Sequence, residues 1–545
     1  MSLVGSSSEP DAVESASGAS LATRLALGGR GRWLPEIVFL LVTTAAGLWA
    51  AGRWVDPCSD AAYSWSAAYR VSQGERLYRD IYLPYTPLSP LLLGAAARLF
   101  GASARFYLWA AWIPAVAAGL LLIRAARQYL TTLERLALVG VVLATSLFVD
   151  GPGRLVFAYN AAAPEALVFA IGALLLVSSG RTPALARALW AGCLAGLAFD
   201  CKQEIGVAAV LALGAAALAG LDRPWQWLAG VGGGLLAATI PAAMYVFASA
   251  PLSSLRQDSH VWPLAPPPAT TIHLMRLVSG LQDPGWFRAT VMTIWSDLGR
   301  VAVLALVSLL LARDRRRAVW FRVGGLLVLL GGWWLWKGRH WPPAVSSLSL
   351  SMTVAFVVAL WAFFSRGLEG RPFLVSFALF AGLAAARNAF GARPSSHYAG
   401  PAHLAAALTT TLFLLVIAPR LHLGRGPSAS IFRTVAAALL LAAGGWQTIR
   451  GVESLRSPGH VPVETDRGRV FVDPGHAQVL NVFSREARAK NSVLILPETY
   501  ALDALFDVRN PSPLIQALPG WLIPDIERRL IRRMELSPPE LVVVF

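Results

Sequence analysis

RWVDPCSDAAYSWSAAYRVSQGERLYRDIYLPYTPLSP, residues Arg53 to Pro90, follows directly on the first strongly apolar stretch of the chain. It places two carboxylates, Asp56 and Asp60, beside a membrane span. Connections between neighbouring elements are usually short, so about fifty residues of patterned sequence between a first and a second span read as a built surface. Asp60 is followed by Tyr63, Trp65 and Tyr69, a pattern that predicts a helix lying in the membrane interface. Ser59 and Asp60 also suit a helix N-cap, which is the plain structural alternative for the same residues.

Composition sets the class around this loop. The chain is 56% hydrophobic and only 14% charged, with many windows of about 20 apolar residues, the length that crosses a bilayer. The net charge of +16 is scattered in small arginine groups beside apolar spans, which excludes one basic nucleic-acid face and points to membrane topology. Hydropathy predicts about thirteen spans, at 36–52, 104–124, 134–149, 164–179, 188–199, 206–221, 226–248, 301–312, 319–336, 344–364, 372–389, 399–418 and 431–449. Arg30, Arg32, Arg124, Arg127, Arg313, Arg315 to Arg317, Arg420 and Arg425 all fall on one side, which the positive-inside rule makes cytoplasmic. The long loops 53–105 and 251–300 and the C-terminus then lie on the opposite, extracytoplasmic face.

Residues 1–35 are rich in Ser, Ala and Gly without a cleavable apolar core, and read as a disordered cytoplasmic tail. Cys58, Cys193 and Cys201 have no metal-ligand spacing. Beyond residue 449 the hydropathy falls. Arg469–Val472, Val493–Leu496 and Leu541–Phe545 read as strands, and 476–490 and Pro524–Glu535 as helices, so 450–545 is predicted to form a small parallel α/β lobe outside the membrane. No Gly-rich phosphate loop follows any of these strands, which argues against a nucleotide site.

Polar groups gather on the loops assigned to the outer face. Asp150, Arg154, Asn160 and Glu165 follow the third span, Asp200, Lys202 and Glu204 lie in FDCKQEIG, and Lys337, Arg339, His340, Arg387, Arg393 and His397 come later. Ionisable groups near a membrane are costly unless hydrated or paired, so their convergence on one face is a site hypothesis. An ordinary hydrated surface and a snorkelling Lys202 are the structural alternatives. Tyr85 and Trp112 read as belt or packing aromatics.

The run from Asp60 to Gly101 resembles the first outward loop of the C-type glycosyltransferase (GT-C) superfamily. In that pattern an acidic residue opens an interfacial helix and is followed by a Gly, a Tyr-x-Asp and a Pro-rich turn. Here these are Asp60, Gly74, Tyr78 with Asp80, and Pro84 with Pro87; Ala61 stands where many members carry Glu. Lys202 and the segment RPSSHYAGPAHL, Arg393 to Leu404, resemble further pieces of the pattern. The groups in question are aminoarabinose transferases and protein O-mannosyltransferases.

The resemblance implies a bacterial inner-membrane enzyme that moves a sugar from a polyprenyl-phosphate donor to a glycan, lipid or protein acceptor. It implies Asp60 as general base, and Lys202, Arg387, Arg393, His397, Tyr398, Glu165 and Asp80 as substrate-binding groups, with Asp56 and Asp150 as secondary candidates. No cofactor is required, and a divalent cation is compatible with the acidic groups. Two other classes stay open at this level. A transporter or lipid flippase needs polar groups at mid-membrane depth or internal repeats, and a non-catalytic assembly protein needs only the lobe.

Overall fold

The computed structural model of the protein describes residues 31–50, 60–83, 85–147, 162–178, 184–256, 266–278, 348–365, 370–389, 400–417, 427–454, 460–497, 501–515 and 524–544, with isolated residues between them. The chain is a mostly helical polytopic membrane fold with several apolar spans and a small C-terminal α/β portion. Its helices are α1 (Leu34–Ala50), α2 (Asp60–Ser72), α3 (Leu88–Phe100), α4 (Ala104–Ala125), α5 (Thr132–Val142), α6 (Ala162–Ser178), α7 (Ala184–Cys201) and α8 (Gln203–Leu218). There follow α9 (Pro224–Ser249), α10 (Leu252–Leu255), α11 (Ala269–Val278), α12 (Leu348–Phe364), α13 (Arg371–Ala389), α14 (Gly400–Leu412) and α15 (Pro427–Ser454).

Among the described residues five helices are long and apolar enough to cross a membrane, namely Gly31–Trp49, Ala104–Gln128, Ala184–Cys201, Pro224–Ser249 and Ala429–Glu453. Shorter apolar helices occupy Ala162–Ser178, Gln203–Leu218, Ser351–Phe364, Arg371–Ala386 and His403–Ile417. The expected spans at 301–312 and 319–336 lie outside the described residues. The stretch 53–105 is not all loop, because α3 is an apolar helix within it. At 13 residues it is too short to register as a span. It packs on α2 at Gly94, where a Cβ would meet Val71 Cγ1 at 2.4 Å.

Small residues let the spans approach closely. Gly192 and Gly196 of α7 face α9, and Gly230 and Gly234 of α9 face α7, so each helix presents a small-xxx-small pair to the other. A Cβ on Gly234 would lie 1.9 Å from the Leu189 carbonyl oxygen. Any larger residue there would force the helices apart.

Connections define two ends of the bundle. At one end, Glu134 caps α5 by accepting from Thr131 N–H (2.8 Å) and also holds Arg433 of α15 at 2.6 Å. Arg135 holds Glu36 of α1 at 2.9 Å, and Arg124 and Arg127 lie over the Trp33 ring. Tyr129 donates to Gly370 O just before α13. Because the helices run back and forth, the start of α6, the α7–α8 turn, the end of α13 and the start of α14 belong to the other end, where the lobe sits.

The lobe comprises β1 (Val461–Thr465), β2 (Gly468–Val472), α16 (Pro474–Ala487), β3 (Val493–Leu496), α17 (Leu502–Phe506), α18 (Pro524–Leu536) and β4 (Leu541–Val544). Among the described residues its strands form two sheets, which corrects the single parallel sheet expected. β1 and β2 are an antiparallel hairpin in register Val463↔Val470, and only β3 and β4 are parallel, in register Ile495↔Val543. The hairpin closes through Asp466 and Arg467, with Gly468 at φ 118° and Thr465 Oγ1 donating to Gly468 O. Pro462 and Glu464 interrupt the apolar run of β1 and hide it from a hydropathy reading.

Candidate functional site

Helix α2 has two working faces. Tyr63, Ser64 and Ala67 line a cleft with Leu83, Tyr85, Thr86, Ser89, Ala162 and the turn Cys201 to Glu204. The Tyr63 and Tyr85 rings meet edge to face, with centroids 5.2 Å apart. The cleft holds about 30 Å³, room for water but not for a sugar ring.

Lys202 reaches the cleft because the chain reverses at that residue. It is a single extended residue (φ −153°, ψ 104°) between α7 and α8. Gly206 then packs so tightly on Phe199 that a Cβ would lie 2.3 Å from the Phe199 Cα. Lys202 Nζ sits 3.3 Å from Glu204 Oε1, and its side chain is 11% exposed. Behind the cleft wall, Glu165 in the first turn of α6 is buried and bonded by Ser89, while its Oε2 has no hydrogen-bond partner among the described residues. The buried Thr86 Oγ1 on the cleft wall likewise has none among them. Buried polar atoms normally find partners, so the Thr86 hydroxyl on the cleft wall offers a ligand a bond to complete.

The opposite face of α2 is held by the lobe. Ser66 Oγ donates to Asp503 Oδ2 at 2.5 Å, and Tyr69 Oη donates to Asp507 Oδ1 at 2.5 Å, where Arg467 also donates. The buried Arg70 reaches Ser512 O at 2.8 Å and Glu75 at 2.6 Å. Burial holds the Asp503 carboxyl above the usual carboxylate range, against the pull of the Ser66 bond and Arg70. Asp507 goes the other way: burial alone would raise it, but the bonds from Tyr69 and Arg467 hold it below that range. Burial, with Asp507 beside it, pushes the Tyr69 phenol up.

A third contact joins α18 to the first loop. Ile526 and Leu530 are buried at i, i+4, and the neighbouring i, i+4 pair Arg529 and Arg533 donates to the carbonyls of Tyr78, Arg79 and Asp80. These carbonyls project from a turn in which Tyr78, fully buried, adopts φ 65°, a strained backbone for a bulky residue.

The residues expected at the site separate accordingly. Lys202 lines the cleft and Glu165 lies behind it. Asp80 sits at the lobe contact, accepting from Arg76 N–H at 3.0 Å and lying 3.4 Å from Arg533. Asp60 is the first residue of α2 and Arg387 is in the last turns of α13, but the description of both stops at the backbone. Arg393, His397, Tyr398, Asp56 and Asp150 lie outside the described residues. Tyr85, expected as a belt aromatic, lines the cleft, whereas Trp112 is buried packing. Thr86, Ser89 and Asp503 were not singled out by the sequence; the only signal for the first two is their place in the Pro-rich turn YTPLSP. Among the described residues no group of three or more His, Cys, Asp or Glu is arranged to hold a metal ion.

No protein-family model matches the chain, and no curated protein matches it. Solved structures that match the chain include two of one protein. ArnT from Cupriavidus metallidurans bound to undecaprenyl phosphate shares 12% identity with a TM-score of 0.40, over 93% of this chain and 89% of that one. The same protein in its apo state shares 15% identity with a TM-score of 0.39, again over 93% and 89%.

Proposed function

We propose that the protein is a membrane glycosyltransferase that moves a sugar from a polyprenyl-phosphate donor to an acceptor hydroxyl at the lobe end of the bundle, with Asp60 as general base. The observation that carries the reading is one of register. Position 60 stands at i to the i+3, i+4 and i+7 positions Tyr63, Ser64 and Ala67, the stripe of α2 that lines the cleft with Lys202. The first-loop resemblance supplies the reaction class, and the arginines at the other end support an extracytoplasmic placement of the lobe end.

The reaction is a single displacement with inversion. The acceptor oxygen attacks the anomeric carbon while the Asp60 carboxylate takes its proton, and the bond from that carbon to the phosphate oxygen breaks. Polyprenyl phosphate leaves with the electron pair. Lys202, with Arg387 and Arg393, holds the phosphate and neutralises the charge that grows on it. Tyr63 and Tyr85 part to admit the sugar, Thr86 bonds its hydroxyls or those of the acceptor, and Glu165, His397 and Tyr398 are further substrate-binding groups in this reading. Asp80, engaged by Arg533, belongs to the lobe contact in this reading.

The test is purified protein with a panel of polyprenyl-phosphate sugars, following release of free polyprenyl phosphate and the anomeric configuration of the product. The expected result is transfer with inversion. Flipping of labelled lipid between leaflets without any bond cleavage overturns the enzyme reading and favours a flippase.

A further inference from the structure

We propose that the C-terminal lobe is a positioning element of the site, in which Asp503 and Asp507 grip Ser66 and Tyr69 and so fix the rotation of α2 about its own axis. The inference rests on the sugar-transfer reading for its kinetic consequence and on geometry for the grip itself. Ser66 and Tyr69 stand three apart on α2 and so share one of its faces, while Asp503 lies within α17 and Asp507 caps its end. The two hydroxyls donate to the two carboxylates at 2.5 Å each. A single bond would leave a helix free to roll about it, whereas two bonds one turn apart set its rotation.

Three further features mark the grip as built. Asp503 is fully buried, a costly place for a carboxyl unless it is hydrogen-bonded. Helix α17 is bounded by Ala501 and Asp507, both at φ 54°, and left-handed non-glycine residues persist only where their surroundings hold them. Arg70 ties the same side of α2 to the lobe backbone at Ser512.

The consequence follows from helix dimensions. Side-chain tips lie roughly 5 to 6 Å from a helix axis, so a roll of about 10° displaces them by about 1 Å. A displacement of that size at a reacting group costs about 10²-fold in rate. Position 60 is on the stripe that the grip aims at the cleft, so loosening the grip misaims the base without touching the donor's phosphate site.

The experiment uses the full-length protein carrying Ser66→Ala, Asp503→Ala, both together, Asp503→Asn and Tyr69→Phe. It has two readouts: transfer kinetics with a polyprenyl-phosphate sugar, and hydrogen exchange of the peptide covering 60–72. Ser66→Ala is expected to lower kcat about 10²-fold with the donor KM little changed. The double variant should be no worse than Ser66→Ala alone, and Asp503→Asn, whose amide oxygen still accepts from Ser66, should recover most of the rate. Exchange in 60–72 should quicken in Ser66→Ala while lobe peptides keep their protection.

If Asp503→Ala unfolds the lobe, Ser66→Ala and Tyr69→Phe decide the matter, since they alter only the α2 side. Unchanged kcat and unchanged exchange in both overturn the proposal, as does a rise in donor KM with kcat intact. A wild type that transfers no sugar overturns the functional reading instead, and the exchange arm then judges the grip alone.

Discussion

The two ends of the helical bundle differ in what surrounds their buried carboxylates. At the arginine end, carboxylates meet guanidiniums: Glu36 holds Arg135 and Glu134 holds Arg433, with side chains that are largely buried. At the lobe end, among the described residues, Glu165 is met only by a serine hydroxyl and Thr86 by nothing, and the cation on the cleft, Lys202, pairs with a partly exposed Glu204. Ion pairs of this kind fix helices against one another, although Glu36 Oε2 also lacks a partner among the described residues. Incomplete polar groups around a cleft are costly to the apo protein, and a ligand that completes them recovers that cost as affinity.

The largest effect that sharpens this contrast belongs to the arginine end. Arg135→Ala strands the Glu36 carboxyl where both partners are almost fully buried, and should lower stability by about 3 to 5 kcal/mol. Thermal unfolding in detergent checks it, and the kcat of the protein that remains folded should be unchanged. A selective loss of kcat would show that the two ends are not separate in function.

Next comes the cleft cation. Lys202→Ala should cost about 10² to 10³ in kcat and raise the donor KM, because contacts to the phosphate exist in the ground state and strengthen as it leaves. Lys202→Arg should keep part of the activity, since the charge remains while its geometry changes. Varying donor at saturating acceptor, and then the reverse, separates the cases; a rise in acceptor KM alone would move this cation to the acceptor site.

Thr86→Val sits at the level of a single hydrogen bond. Removing an unpartnered hydroxyl should leave stability equal or slightly higher while weakening substrate binding by about 0.5 to 1.5 kcal/mol. A drop in stability with unchanged KM would mean that the hydroxyl already has a structural role.

The smallest expected effect is at the lobe contact. Because Asp507 is held below the usual carboxylate range, burial notwithstanding, by Tyr69 and Arg467, its bonds stabilise the fold above that range and are lost as pH falls through the depressed value. The side chain is 52% exposed, so Asp507→Asn should cost no more than about 1 kcal/mol. The acid limb of a stability-versus-pH curve should flatten correspondingly in that variant.

How much of this was legible in the sequence depended on how local each signal was. Apolar windows, the start of α2 at Asp60 and the helices α16 and α18 are written in consecutive residues and were read. Helix α3 was missed because an apolar run of 13 residues is no span, and β1 because Pro462 and Glu464 break its alternation. Lys202 stood out as a lone cation in a short turn between apolar helices. Thr86 and Ser89 did not, since hydroxyls in a Pro-rich turn are common and only burial distinguishes these. Asp503 could not be read at all: its partner Ser66 is 437 positions away, and no local pattern encodes a contact between two ordinary polar residues at that separation.

The central claim is that the α2 stripe beginning at Asp60 performs sugar transfer, and Asp60→Asn tests it most directly. The substitution keeps size and hydrogen-bonding capacity and removes the base. With purified protein and a polyprenyl-phosphate sugar that the wild type uses, kcat should fall by about 10² to 10⁴, with hydrogen exchange in 60–72 and thermal stability as in the wild type. Turnover close to that of the wild type in a folded Asn variant would contradict the account and remove Asp60 from the chemistry.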